Sequence, residues 1–414
     1  MMNIAINKLS ALKLMRSVRE AREDRAWNLV RRDLVAPSPY LATRWSPSVI
    51  DLSRFGKAGE FSDDAPLSVA VPSARNRLRM KSAANTVYGE GLPAGSFLDL
   101  GGGVFISSPE LLFVEAASIM STAAHVLLGY ELCGEYARDA LSPVGGKAAM
   151  NIPPVTTVQK ISAFLDKCKG IHGLTAAKRN LRYVADNAWS PFESIVSTLL
   201  VLPIWELGYG FRGVILNKRQ TVVGGRSVGE VGSRVPDILI AGTKVGINYD
   251  GSGHLDLDSI AWAAVTAREN PQDEEAQENL RKAIARVRAK VVDDKRRDRE
   301  LGSSGLLVMP VTKEDLYEPG RFEALVHLIL DGMERDALLE SREQRSLLMN
   351  RALARKRQEM VWSLLPGERG HTLACKLARE EEARMRGTVP VQVLPPTIVY
   401  ILQGEKNIDV RNAS

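Results

Sequence analysis

Cysteine and histidine are scarce in this chain of 414 residues, which contains three cysteines and five histidines. The spacing of Cys133, Cys168 and Cys375 fits neither a zinc site nor a disulfide framework. Thiols without a pairing pattern are typical of a reducing compartment, so we expect a cytoplasmic protein. Four of the histidines have no carboxylate or cysteine pattern near them, and His254 is the exception.

Long apolar runs are missing as well. The longest one, residues 195–205, is interrupted by Pro203 and is too short to cross a bilayer. The N-terminal stretch lacks the apolar core and the small-residue cleavage site of a signal peptide. These absences predict a soluble chain without a membrane partner.

Two stretches resemble glycine-rich phosphate-binding loops, but the residues in and around them do not fit that function. Residues 208–213 read Gly-x-Gly-x-x-Gly, yet a helix is predicted before them and a strand after them, the reverse of a dinucleotide fingerprint. The stretch 145–147 lacks the first glycine of a P-loop and the Ser/Thr after its lysine. The net charge of +6 is a weak indication of a polyanionic partner such as nucleic acid.

Proline-rich breaks at 37–47 and 145–154 and a change in composition near residue 335 divide the chain. Apolar residues at helical spacing fill residues 1–34, and the C-terminal part is charged and helical, with a break at Pro366-Gly367 and a last strand expected at 389–402. The expected domains are an N-terminal helical region (1–50), a small α/β domain (51–150), a third domain (151–335) and a charged helical tail (336–414).

The third domain has the element order helix, three strands, helix, strand, helix. Two helices are expected over 155–187, and Ser190 is expected to cap a further helix, with Glu193 at the capping-box position. Strand-like runs follow at 211–223, 235–241 and 244–249, and the short link between the last two predicts a hairpin. A long charged helix (273–301), a buried strand (306–311) and a helix to about residue 333 complete the order.

The stretch 236–254 is the most informative part of the chain. Asp237 stands near the start of one strand, while Asn248 and Asp250 stand two apart on the next, so both point to one face. In a hairpin these residues approach one another, and their oxygens suit Mg²⁺ or Mn²⁺, ions that activate water for phosphodiester hydrolysis. The alternative is a surface hairpin, because Asp250-Gly251 is also a common turn pair.

These residues resemble the PD-(D/E)XK nuclease superfamily. Glu193 on a helix, then Pro236-Asp237, then a strand that ends in Asp250-Gly251 with His254 after it, is similar to the very-short-patch-repair-like endonuclease branch. Residues 294–302 and the apolar strand after them are similar to the helix of Asp and Arg residues and the following strand in that branch. The resemblance covers about residues 188–335.

The resemblance implies a restriction-endonuclease-like α/β (α+β) domain with a central mixed sheet flanked by helices. It also implies that Glu193, Asp237, Asn248 and Asp250 hold the metal and that His254 assists. Asn248 departs from the family pattern, because a carboxylate is expected at that position and an amide brings no negative charge. For Glu193 the alternative role is simple helix capping.

The upstream part resembles actinobacterial proteins that join such a domain to an antitoxin-like module of the abortive-infection type. The residues that carry this likeness lie at 69–73, 105–116 and 190–194. We therefore expect a small α/β antitoxin-like domain at 51–150, upstream of the nuclease-like domain and its charged tail.

The long charged helix supplies the expected nucleic-acid contacts, which are Lys290, Lys295, Arg296, Arg297 and Arg299. Acidic residues alternate with them, so a solvated helix with internal ion pairs is the alternative.

Three hypotheses for the function follow from these residues. The leading one is a Mg²⁺- or Mn²⁺-dependent endonuclease acting on nucleic acid, with DNA the expected substrate. The second is a catalytically weakened nucleic-acid-binding or antitoxin-like regulator that retains the nuclease fold, which Asn248 favours. The third is a protein-interaction module built on the tail, whose helices would pack on the body or pair two subunits.

Overall fold

The computed structural model describes residues 3–21, 51–88, 92–223, 231–250, 257–335, 345 and 348–386. The chain forms two compact units, Met1–Gly210 with Glu359–Ser414, and Phe211–Gln358. Both contain helices and strands, and the two larger sheets mix parallel and antiparallel strands, so the mixed α/β class is confirmed. The sequence pattern placed a boundary near residue 150, whereas the units divide between Gly210 and Phe211.

The first unit is built on a five-stranded mixed sheet in the order β3-β2-β1-β5-β4. The central strand β1 is antiparallel to β2 and parallel to β5, while β2 and β3 are parallel and β4 and β5 antiparallel. The bounds are β1 (Ile4–Ile6), β2 (Leu67–Val71), β3 (Ala83–Val87), β4 (Phe97–Asp99) and β5 (Val104–Ser107).

The expected helix over residues 1–34 is wrong at its beginning, and its part at 22–34 lies outside the described residues. Residues Ile4–Ile6 form the central strand, and only after Asn7 does helix α1 (Lys8–Glu20) begin. All three strand residues are buried, because neighbouring strands cover both edges and the sheet is packed on its faces. A strand of three buried residues shows no two-residue alternation, so its apolar side chains extend the helical pattern that follows.

Several helices of the first unit begin at a serine or threonine whose side chain caps them. Ser108 accepts the amide N–H of Leu111 and Pro109 occupies the first turn, and the predicted Ser190 cap is found as well. The helices are α2 (Pro109–Ala116), α3 (Thr122–Leu132), α4 (Val158–Lys167), α5 (Leu174–Leu181) and α6 (Pro191–Val201), and a two-stranded hairpin, β6 (Tyr136–Arg138) and β7 (Ala148–Met150), lies between α3 and α4.

The second unit contains a four-stranded sheet in the order β13-β12-β11-β8. The predicted hairpin between β11 and β12 is present, and Gly242 in its turn has a φ of 77°, which a residue with a side chain rarely adopts. The first predicted run divides into β8 and β9, and β9 pairs with β10. The bounds are β8 (Val214–Leu216), β9 (Gln220–Val223), β10 (Val231–Arg234), β11 (Ile238–Ile240), β12 (Val245–Asp250) and β13 (Leu307–Thr312).

The predicted strand after the long helix is β13, but it is an edge strand and not a buried one. It is parallel to β12, and of its six residues only Val311 is buried. Pro310 is compatible with an edge position, since a proline has no amide N–H to give to a further strand. The helices of this unit are α7 (Leu257–Glu269), α8 (Glu274–Ser303), α9 (Lys313–Tyr317) and α10 (Arg321–Arg335).

The C-terminal part contains the helices α11 (Arg351–Leu364) and α12 (Glu368–Met385), and the break expected at Pro366-Gly367 lies between them. Helix α12 packs within the first unit, where the Glu381 carboxylate accepts hydrogen bonds from the Thr122 amide (3.0 Å) and hydroxyl (2.6 Å) at the start of α3. The strand expected at 389–402 lies outside the described residues. Among the described helices, none is both long enough and apolar enough to cross a membrane.

Candidate functional site

The hairpin of β11 and β12 brings the predicted site residues of the second unit together. The strands are antiparallel with Ile238 opposite Ile247, so Asp237 at the start of β11 lies beside Asn248 and Tyr249. The Asp237 amide donates to the Asn248 Oδ1 (3.2 Å), and the Tyr249 amide donates to the Asp237 Oδ2 (2.6 Å). The second bond holds the Asp237 carboxylate beside β12, and the first joins the Asp237 backbone to the Asn248 side chain.

The environment of Asp237 is unfavourable to its negative charge. Burial raises the pKa of Asp237 to about 6, even though the Tyr249 amide and the Arg297 guanidinium oppose that effect. The carboxylates of Asp250 and Asp294 raise this pKa further. Such a shift is typical of functional sites as well as of structural ion networks.

Helix α8 contributes two residues to this cluster that the sequence pattern does not assign to the metal site. The Arg297 Nη2 lies 3.5 Å from the Asp294 Oδ1 and 3.8 Å from the Asp250 Oδ1. Asp294, Arg297 and the buried Leu301 recur at helical spacing, so one face of α8 turns all three toward the sheet. We call Asp237, Asn248, Asp250, Asp294 and Arg297 the acidic cluster.

Two hydrogen-bond donors of the acidic cluster are buried without an acceptor among the described residues. They are the Nδ2 of Asn248, a residue only 1% exposed, and the Nε of Arg297. A buried donor without a partner costs about 1–3 kcal/mol, which makes both atoms notable in a folded core.

The donor set of the acidic cluster fits a hard divalent cation in part. The carboxylates of Asp237, Asp250 and Asp294 supply the oxygen ligands that Mg²⁺ and Mn²⁺ prefer. The Asn248 oxygen already accepts the Asp237 amide, and the Asn248 Nδ2, which cannot ligate a cation, has no acceptor among the described residues. Within the described ranges, no group of three or more His, Cys, Asp or Glu side chains is preassembled around one metal position.

Glu193, the fourth predicted ligand, belongs to the first unit and has a local role there. Its carboxylate accepts hydrogen bonds from the Ser190 hydroxyl (2.8 Å) and the Trp189 amide (3.0 Å), and the Ser190 hydroxyl accepts the Glu193 amide. This is the capping role that was the alternative for Glu193. The other predicted participant, His254, lies outside the described residues.

The predicted nucleic-acid contacts on α8 fall into two groups. Lys295, Arg296 and Arg299 are exposed, and none of them forms an ion pair with another described residue. Arg297 points into the acidic cluster instead, and the side chain of Lys290 is not among those described. The acidic neighbours Asp293 and Glu300 bind Arg234 of β10, which leaves the exposed basic residues available for an anion.

Comparison with known proteins does not add to this picture. No family model, no curated protein and no solved structure matches the chain. Any assignment of a function to the acidic cluster therefore depends on its own geometry and chemistry.

Proposed function

We propose that the second unit is a restriction-endonuclease-like domain that hydrolyses phosphodiester bonds of nucleic acid, with DNA as the expected substrate. The observation that carries the proposal is the convergence of Asp237 and Asp250 on one face of a hairpin, where burial and neighbouring carboxylates raise the pKa of Asp237. The order of helices and strands around this hairpin, and its parallel edge strand β13, support the same fold.

A divalent cation bound at the acidic cluster would activate a water molecule and withdraw charge from the phosphate. Asp237 and Asp250 would hold this Mg²⁺ or Mn²⁺, and the Tyr249 amide keeps the Asp237 carboxylate in place. Asp294 is the nearest candidate for the carboxylate missing at position 248. Because Glu193 already serves its own helix cap, the proposed site does not depend on it.

The exposed basic residues of α8 supply the second requirement of a nuclease, which is affinity for the nucleic-acid backbone. Lys295, Arg296 and Arg299 are neighbours of Asp294 and Arg297 on the same helix and form no ion pair with the described carboxylates. Contacts of this kind position a nucleic acid without selecting a base sequence.

The test is incubation of the purified protein with supercoiled plasmid in Mg²⁺ and in Mn²⁺. Cleavage should fall by at least about a hundredfold in Asp237→Ala and in Asp250→Asn, since each removes a metal ligand. Asp166→Asn is the matched control, because it alters an exposed aspartate of the first unit whose side chain is 73% exposed. Cleavage that survives in Asp237→Ala would show that the acidic cluster is not the active site.

Asn248 favours a second function, that of a nucleic-acid-binding or antitoxin-like regulator that retains the fold without cutting. An amide in place of a carboxylate lowers the negative charge available to a cation. For such a regulator, wild-type protein would bind DNA with a steep salt dependence and leave plasmid intact in both metals. Substitution of Lys295, Arg296 and Arg299 by glutamine would then reduce the slope of log affinity against log salt concentration by about one for each phosphate that is no longer neutralised.

A further inference from the structure

We propose that Asn248 and Arg297 form a receptor for a phosphate oxyanion, in which the Asn248 Nδ2 and the Arg297 Nε donate to the oxygens of the bound group. This inference rests on the proposed function for the identity of the anion, a phosphodiester or the phosphate it yields. It assigns Asn248 to the substrate, whereas its place in the sequence pattern suggests a metal ligand.

The orientation of the Asn248 amide is set by its neighbours. Its Oδ1 accepts the Asp237 amide N–H, and this bond turns the Nδ2 toward the other side of the group. A reversed amide would place two donors against each other, so the hydrogen bond defines which end of the amide faces the Asp237 backbone. The side chain is almost completely buried, and its Nδ2 has no acceptor among the described residues.

Arg297 lies near two carboxylates without a short ion pair to either. Its Nη2 is 3.5 Å from Asp294 and 3.8 Å from Asp250, both longer than the 2.7–2.9 Å or so of a direct charge-assisted hydrogen bond. Its Nε is buried and has no acceptor in the described part of the chain. The guanidinium therefore retains donors for a further oxyanion, and Asp294 acts as a positioning residue beneath it.

The two unsatisfied atoms are suited to bind an anion and not a cation. Both atoms are N–H donors, and a metal ion cannot satisfy a donor. A phosphate group offers several acceptor oxygens, and one that binds a cation on the carboxylates can turn another oxygen toward Arg297 and Asn248. Asn248 and Asp250 are two residues apart on one face of β12, about 7 Å along the strand, which is the scale of a phosphate between them.

The experiment measures binding of inorganic phosphate and of Mg²⁺ separately by titration calorimetry, with phosphate titrated into protein saturated with Mg²⁺. The variants are Arg297→Gln, Arg297→Lys and Asn248→Asp. Asn248→Asp keeps the oxygen that accepts the Asp237 amide and replaces the donor Nδ2 by an oxygen. The matched control is Arg286→Gln, an exposed arginine of the same helix that lies about three turns before Arg297.

The two ligands should respond in opposite directions. We expect phosphate affinity to fall about tenfold or more in Arg297→Gln and in Asn248→Asp, since each substitution removes a donor to a charged group. Mg²⁺ affinity should rise in both, because the first loses a positive charge and the second gains a carboxylate. Arg297→Lys should lose most of the phosphate affinity because its ammonium lacks the planar fork, and Arg286→Gln should behave as wild type.

The inference is overturned if phosphate binds equally to wild type, Arg297→Gln and Asn248→Asp, in which case neither donor contacts the bound ion. It is also overturned if the variants change only the urea midpoint of the second unit. Failure of the proposed function looks different, since wild type would then cut no plasmid in either metal while phosphate binding still depended on Arg297. Plasmid cleavage that depends on Asp237 but not on Arg297 would overturn the receptor alone.

Discussion

Each unit contains an arginine that lies beside acidic side chains, and the two arginines differ in the hydrogen bonds they form. In the first unit Arg16 of α1 forms two hydrogen bonds with Glu131 of α3, from Nε to Oε1 at 2.7 Å and from Nη2 to Oε2 at 2.6 Å. In the second unit Arg297 lies among three aspartates, and its Nη2 is 3.5 Å or more from the oxygens of Asp294 and Asp250. We call Arg16 and Glu131 the closed pair, because two short hydrogen bonds join the guanidinium to both carboxylate oxygens. In the second arrangement the Arg297 Nε has no acceptor among the described residues.

The carboxylate pKa values reflect the same difference. Burial alone would raise the pKa of Glu131, but the charge and hydrogen bonds of Arg16 outweigh it and hold that pKa below its usual value. For Asp237 burial prevails, and the pKa rises to about 6. A closed pair stabilises a fold, whereas a cluster with excess negative charge and unsatisfied donors is stabilised when a ligand arrives.

The largest expected effect comes from opening the closed pair. Arg16→Met should lower the free energy of unfolding of the first unit by about 3–5 kcal/mol, because Glu131 is left as a buried charge without its partner. Urea unfolding followed by hydrogen exchange of peptides from each unit measures it. Addition of Glu131→Gln should restore much of the loss, and Arg297→Met in the second unit should cost under about 1 kcal/mol. Equal losses for Arg16 and Arg297 would remove the distinction drawn between them.

A divalent cation should stabilise the acidic cluster selectively. At a concentration about a hundredfold above its dissociation constant, Mg²⁺ or Mn²⁺ should add about 2.7 kcal/mol to the second unit. Hydrogen exchange in β11, β12 and α8 should slow, while exchange in the first unit stays unchanged. Asp250→Asn should abolish the effect and Asp166→Asn should keep it. Protection that is absent, or equal in the two units, would contradict a metal site at this cluster.

Asp237 should destabilise the metal-free second unit at neutral pH. The pKa of Asp237 in the folded protein, about 6, exceeds the ordinary value of 3.8, so folding favours the protonated carboxyl. The stability linked to this proton is complete below about pH 4 and is lost as the pH rises through 6, where the buried carboxyl ionises. Asp237→Asn in a chelator should therefore raise stability at about pH 7.5 by about 1–2 kcal/mol, after allowance for solvent screening, and not at about pH 4. Thermal unfolding at the two pH values tests this, and an equal gain at both would refute it.

His125 should give the first unit the opposite pH dependence. Burial lowers the pKa of His125 to about 4, although the bond from its Nε2 to the Phe113 carbonyl opposes that shift. The stability that neutral His125 contributes is present above about pH 6.5 and is lost as the pH falls toward 4. At about pH 5.5 the loss in the free energy of unfolding is about 1 kcal/mol. The protection factors of the α3 amides, which correct for the slower intrinsic exchange at lower pH, should fall at that pH, less so in His125→Gln. The exposed His172→Gln is the control and should leave the pH profile unchanged.

Much of the second unit can be predicted from local pattern. The hairpin, the long charged helix and the strand after it are found where apolar alternation and charge place them, because each pattern extends over enough residues to show its period. The approach of Asp237 to Asn248 and Asp250 follows from the hairpin alone. The capping role of Glu193 could also be predicted from the sequence, since its position three residues after Ser190 indicates a cap as readily as a ligand.

Other features required interactions between residues that are distant in the chain. The strand β1 is too short to show a period, and it is stabilised by β2 and β5, which begin at Leu67 and Val104. The entry of Asp294 and Arg297 into the cluster was missed because α8 carries charge on several faces, so charge alone did not indicate which face meets the sheet. The buried Leu301, two turns after Asp294, was the available signal.

The amino-acid sequence by itself determined the hairpin, the caps and the candidate residues Asp237, Asn248 and Asp250, because these depend on interactions between residues close in the chain. Only the tertiary structure decided that the Asn248 nitrogen is buried without an acceptor among the described residues, that Arg297 stands beside the carboxylates and that burial raises the pKa of Asp237. Desolvation and the approach of charged groups depend on residues that are distant in the chain, and here Asp294 and Arg297 come from α8, a helix that is remote from the hairpin in the chain.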